Sequence, residues 1–199
     1  NLRCIMSQRL IPKRDGQGRV AAVEVMLDSP SVRDLVFKGE VNALKVEPFK
    51  FRSCIKDILE RLESVIRNQQ AEVDVIMPDP DLVLQGDRFY WTQVLFNLVE
   101  NALKQNPYPG LKVDVGCERA GDHVRIWVTD NGVGIPSADL PHIFRRFFRV
   151  EKHHSQQEIK GTGLGLSIVK RAVEAHGGTI SVTSVPGSET KFRSTVPRE

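Results

Sequence analysis

The stretch HVRIWVTDNGVGIP, residues 123 to 136, restricts the possible folds more than any other part of the chain. In VRIWVT, residues 124 to 129, apolar and polar side chains alternate as in a half-buried strand, and the Asn131-Gly132 pair that follows is a strong hairpin signal. No returning strand follows. Gly134 and Pro136 interrupt the chain instead, and the run to Arg149 has no alternation. Without side chains, Gly132 and Gly134 let a flat group lie against bare backbone, while an ionised Asp130 at the strand end accepts a hydrogen bond from an amine. A tight turn capped by Asp or Asn accounts for the same letters.

The surrounding sequence supplies both periodicities. CIMSQRLIPKRDGQGRVAAVEVML, residues 4 to 27, reads as a β-hairpin, and SVRDLVFKG after Ser29-Pro30 as a short helix stopped by Gly39. The composition changes between Glu40 and Val46, so a domain boundary is expected there. From Glu47-Pro48 to about Gln70 a helix is predicted, with Ile55, Ile58, Leu59, Leu62, Val65 and Ile66 on one face. VDVIMP follows as a strand, then an Asp- and Pro-rich loop and a second helix from about Asp87 to Lys104. LKVDVGCER and HVRIWVTD are antiparallel strands joined near Gly121. Past the polar residues 151 to 160, Gly177 and Gly178 can end a further helix, and TISVTSV and ETKFRSTVP are strands around Pro186-Gly187. This order predicts an α/β (α+β) two-layer sandwich, a mixed and mostly antiparallel sheet with helices on one face, preceded by a β-hairpin and a short helix.

At 199 residues, 40% hydrophobic, the chain can bury a real core. A net charge of +3 is too small to indicate nucleic acid, and the basic residues cluster only between Arg145 and Lys160. Cys4, Cys54 and Cys117 are too far apart in sequence to suggest a metal site and read as reduced packing thiols. No membrane-spanning run or signal peptide is apparent, and no direct membrane contact is expected. The start at Asn1 suggests a piece of something larger, either cytoplasmic or the cytoplasmic part of a membrane-bound sensor.

Two more segments carry chemistry. In QVLFNLVENALK, residues 93 to 104, Asn97, Asn101 and Lys104 form one stripe beside an apolar face. Carboxamide oxygens suit Mg²⁺ and its waters, and the amide and ammonium donors suit phosphate, although a solvated helix face has the same pattern. GTGLGLS, residues 161 to 167, places three glycines before a helix, where backbone amides and the helix dipole favour a phosphate. It is neither a P-loop nor a dinucleotide fingerprint, because no Gly-Lys-Ser/Thr follows and no strand leads directly into it.

In this order the three features resemble the catalytic ATP-binding domain of sensor histidine kinases, in the superfamily that includes DNA gyrase B, Hsp90 and MutL, whose fold is of the Bergerat type. NLVENALK is similar to the asparagine box, DNGVGIP to the first glycine box, IFRRFFR to the phenylalanine box and GTGLGLSIVKRAVEAHGGTI to the second glycine box. The match runs from about Val46 to Pro197. It implies that Asn97 and Asn101 hold Mg²⁺ and phosphates, that Lys104 holds a phosphate, and that Asp130 reads the adenine amine. Gly132, Gly134 and Ile135 would shape the base pocket. Residues 144 to 160 would form a lid over ATP, anchored by Phe144, Phe147 and Phe148, with Arg149 reaching towards the phosphates. Gly161, Thr162, Gly163, Leu164, Gly165 and Leu166 would hinge that lid and supply backbone amides.

The pattern also departs from the family. Gln105 stands where an aromatic residue often follows the lysine, and SVPGSETKF matches the late glycine-rich segment only loosely, so no site residues are assigned there. Nothing resembles the phosphoacceptor histidine; His176, before Gly177-Gly178, reads as a helix-terminal cation suited to the dipole. The expected partners are therefore a separate histidine-bearing dimerisation domain and a response regulator, with ATP and Mg²⁺ as ligands. Alternatives are a nucleotide-binding module without kinase activity, or a MutL- or gyrase-like ATPase. Those ATPases carry an acidic base four residues before the metal-binding asparagine, where this chain has Asn97. Residues 1 to 40 resemble a fragment of type IV pilus retraction ATPases, with no Walker motif and hence no implied activity.

Overall fold

The computed structural model describes residues 4–12, 19–27, 44–78, 82–104, 110–150 and 162–198. It divides into two compact units, Asn1–Asn42 and Ala43–Glu199. In the first, β1 (Cys4–Pro12) pairs antiparallel with β2 (Arg19–Leu27), from Cys4 opposite Leu27 to Pro12 opposite Arg19, as the hairpin pattern predicts. The expected helix over residues 31 to 39 lies outside the described residues.

The second unit is built on a five-stranded sheet of order β4-β6-β7-β9-β8, comprising β4 (Glu72–Ile76), β6 (Lys112–Ala120), β7 (His123–Asp130), β8 (Thr179–Val185) and β9 (Glu189–Pro197). Only β4 and β6 run parallel, and the other neighbours are antiparallel, giving the mixed sheet expected. Alternation sorts the faces. Val113, Val115 and Cys117 of β6, Val124, Ile126 and Val128 of β7, and Phe192 and Val196 of β9 are buried on one side. Helices α2 (Arg88–Lys104) and α3 (Gly165–Ala175) pack against that sheet and each other, while α1 (Phe51–Gln69) packs on α2. The helical faces have the predicted spacing: Phe51, Cys54, Ile55, Ile58 and Leu62 on α1, and Val94, Leu95, Leu98, Val99, Ala102 and Leu103 on α2, are buried.

Two expectations are corrected. Glu47-Pro48 does not open α1. Glu47–Lys50 forms β3, antiparallel to a short β5 (Val83–Gly86), with the buried Phe49 and Leu84 opposite one another. A burial period of two, seen in Phe49 between exposed Pro48 and Lys50, suits a strand, and a short two-stranded edge tolerates the missing proline N–H. His176 does end α3, but not as a cation. Its Nε2 accepts a hydrogen bond from the Asp87 backbone N–H at 2.9 Å, so that nitrogen carries no proton. Beyond it, Gly177 at φ +69 closes the helix: Gly177 N donates to Glu174 O and Gly178 N to Val173 O, a Schellman motif. Among the described residues no helix is long and apolar enough to cross a membrane.

Candidate nucleotide site

Asp87 sets the start of α2. Its Oδ1 accepts from Phe89 N at 3.0 Å and more weakly from Tyr90 N at 3.5 Å, satisfying amides that the helix itself leaves unpaired. With the apolar face of α2 on the sheet, the stripe of Asn97, Asn101 and Lys104 falls along one wall of a cavity of about 260 Å³. Asn97 Nδ2 donates to Gln93 O at 2.8 Å, which directs Oδ1 towards α3. Lys104 Nζ lies 2.8 Å from Glu100 Oε1, so a second charged group on this wall holds the ammonium.

The second wall is the end of β7. Asp130 is only 6% exposed, and its Oδ1 accepts from Gly132 N at 3.0 Å. Gly132 itself does not line the cavity; its backbone orients the carboxylate. Val133, Gly134 and Ile135 do line it. Asn131 explains why the Asn-Gly signal makes no hairpin: Oδ1 accepts from Lys112 N at 2.7 Å and Nδ2 donates to Gly110 O at 3.1 Å, tying the strand end back to β6. Gly134 has φ +73, and a Cβ there would lie 2.6 Å from Pro186 Cα. Gly187 N donates to Val133 O and Ile135 N donates to Ser184 Oγ, both at 2.9 Å, so the turn between β8 and β9 braces this loop.

The third wall is the approach to α3. Thr162, Gly163, Gly165 and Leu166 line the cavity, whereas Leu164 is buried behind it and Gly161 lies outside the described residues. Phe148 and Arg149 line the cavity from the preceding segment, and the Phe144 ring packs edge-on to Phe192 at 6.3 Å. Phe147 is 61% exposed, and its backbone N donates to Gly163 O at 2.9 Å, joining this segment to the glycines before α3. The rest of the expected lid, residues 151 to 160, lies outside the described residues.

Sequence reasoning missed Glu100, Ala102, Val133, Ile143, Val150, Thr190 and Phe192, all of which line the cavity. Glu100 sits between the two asparagines and was available as a signal. Thr190 and Phe192 were not, because they reach the site through the pairing of β9 with β7, in which Thr190 lies opposite Asp130.

The walls are chemically distinct. Two carboxamides and an ammonium face the amides of a helix start, where Gly163 and Gly165 leave backbone uncovered, and a buried carboxylate stands at the other side beside apolar Val133, Ile135, Ile143 and Phe192. This suits a ligand with an apolar, amine-bearing ring at one end and a multiply charged anion with a hard cation at the other.

The two-layer sandwich is shared with a known class of ATPases. Residues 86–199 match the family described as histidine kinase-, DNA gyrase B-, and HSP90-like ATPase. The chain belongs to that family. Sensor histidine kinase WalK of Bacillus subtilis is 40% identical over 143 residues, 70% of this chain and 23% of WalK. The sensor-like histidine kinase SenX3 of Mycolicibacterium smegmatis is 35% identical over 145 residues, 73% of this chain and 37% of SenX3. The chain thus spans well under half the length of these relatives. Among solved structures, the catalytic domain of histidine kinase ThkA superposes with TM-score 0.67 at 28% identity, covering 77% of this chain and 98% of that one. The mycobacterial sensor histidine kinase MprB gives 0.64 at 30%, covering 76% and 97%. The second unit has the histidine kinase catalytic-domain fold.

Proposed function

We propose that the cavity binds Mg·ATP and that, within a longer protein, this domain donates the γ-phosphoryl group to a histidine of a separate dimerisation domain, with a response regulator as the next acceptor. The observation that carries the reading is the convergence of Asn97 and Asn101, Asp130, and Gly163 and Gly165 on one cavity. Asp130 and the apolar wall would take adenine. Asn97 and Asn101 would hold Mg²⁺ through oxygen and water, with Lys104, Arg149 and the α3 amides at the phosphates. Mg²⁺ would neutralise charge on the transferring group, and the protein would supply position and preorganised donors. In the transfer, an imidazole nitrogen bonds to the γ-phosphorus and the bridging oxygen leaves with ADP. The solved complex of ThkA with the response regulator protein TrrA offers a precedent for the second partner.

An ATPase reading is less favoured, since Asn97 occupies the place of the acidic base. The test adds a helical dimerisation domain bearing a histidine, and γ-labelled ATP. Phosphohistidine formed in trans, and lost in Asn101→Ala, is expected. Steady ATP hydrolysis by the chain alone, or Mg·ATP affinity unchanged in both Asn101→Ala and Asp130→Asn, would refute the assignment.

A further inference from the structure

His176 lies at the far end of α3 from the cavity, and both of its ring nitrogens are engaged. The Asp87 backbone N–H can only donate, so Nε2, at 2.9 Å, is the acceptor. The Ala172 carbonyl, 2.7 Å from Nδ1, can only accept, so Nδ1 carries the proton. The ring is a neutral strut between two fixed points. Asp87 is bound into the first turn of α2 by its Oδ1 contacts, and its Oδ2 accepts from Lys45 N at 3.1 Å. Ala172 belongs to the last turn of α3, which the Schellman motif closes. The strut has little slack: the ring packs on the buried Trp91 at 5.5 Å, and a Cβ on Gly86 would lie 2.9 Å from both His176 Cδ2 and Trp91 Nε1.

The two helices touch again at the cavity. Gly165, the first residue of α3, lies so close to Asn97 that a Cβ there would be 2.8 Å from Asn97 Oδ1. The helices run in opposite directions. Asn97 is ten residue steps from Asp87 and His176 eleven from Gly165, spans of about 15 and 16.5 Å at 1.5 Å per residue. Two rods of nearly equal length are therefore hydrogen-bonded at the His176 end and in close approach at the Gly165 end, where Gly165 leaves no room for a Cβ beside Asn97. A slip at the His176 end reappears at Gly165 and Asn97, where an error of about 1 Å is costly to a positioned ligand.

We propose that His176 is a positioning residue for the nucleotide site, fixing the axial register of α3 against α2 through Asp87 and so setting Gly165 against Asn97. The functional consequence rests on the Mg·ATP reading above; the register itself does not.

The test uses the full chain and three variants. His176→Leu removes both polar contacts but keeps apolar bulk. His176→Gln retains an oxygen that can accept from Asp87 N. Gly86→Ala crowds the ring from outside. Each is read by the NMR resonances of the Gly165 amide and the Asn97 side-chain amide without nucleotide, and by Mg·ATP affinity. His176→Leu should move both resonances, although the ring lies too far away to shift them directly, and weaken binding about 10-fold, with His176→Gln restoring it to within about 3-fold. Gly86→Ala should move the same resonances. Resonances in place in a folded His176→Leu overturn the proposal even if its melting temperature falls. Should that variant fail to fold, unmoved resonances in Gly86→Ala overturn it. Failure of the native chain to bind Mg·ATP would refute the functional reading while the resonances still decide the register.

Discussion

Gly165→Ala should separate binding from stability. Gly165 has no positive φ, so an alanine there carries no backbone strain, and at the start of a helix it gains up to about 1 kcal/mol over glycine. The obstacle is one atom. The new Cβ would lie 2.8 Å from Asn97 Oδ1, 3.5 Å from Cγ and 3.9 Å from Cβ, so only the carboxamide tip has to move. That tip is held by Nδ2 donating to Gln93 O at 2.8 Å, a bond worth about 1 kcal/mol if broken. Gain and loss nearly cancel, so the melting temperature should stay within a few degrees of the native value. The carboxamide that would face Mg²⁺ and phosphate is displaced, and loss of one such contact, about 1.4 kcal/mol, weakens Mg·ATP about 10-fold in a calorimetric titration. A double-mutant cycle adds the mechanism. If the only harm is to Asn97, then Gly165→Ala costs nothing further in an Asn97→Ala background. Unaltered affinity in Gly165→Ala, or fully additive losses in the cycle, would refute the reasoning.

Asp130→Asn replaces a charged acceptor with a neutral group, and affinity for adenine nucleotides should fall roughly 10- to 100-fold by competition titration, the range of a charge-assisted bond, with no gain expected for nucleotides lacking the amine. Gly134→Ala places a Cβ at φ +73 against Pro186 backbone, and denaturant unfolding should show a loss of about 2 kcal/mol or more; a change near zero would mean the loop can yield. Burial pushes the Cys54 thiol above its ordinary value of 9.0, against smaller opposing effects of Thr92 and Arg88. Because the folded pKa is raised, the associated stability is complete below the unfolded value and declines as pH rises past 9.0. Cys54→Ala should flatten that decline, measured as denaturant midpoints across the range, and an unchanged slope would count against it.

Elements whose signal is local could be read from the amino-acid order alone. The three- and four-residue spacing of α1 and α2 and the alternation of β6, β7 and β9 record which face each element buries, so they were legible without knowing what covered them. The same local rule placed Asn97, Asn101 and Lys104 on one stripe. Features that depend on partners distant in the chain emerge only once the fold is complete. Glu47–Lys50 has too few residues for its sequence to mark it off from the helix that follows, and is a strand because β5 pairs with it. Thr190 enters the site because β9 lies beside β7, opposite Asp130, in a register that no short window of sequence contains. Asn131 abandons its hairpin because Lys112 and Gly110 satisfy its side chain. His176 is neutral because an amide 89 residues earlier needs an acceptor. A residue's type sets what it can bond; its charge state, partner and place in a site follow from burial and from which strands and helices the completed core brings together.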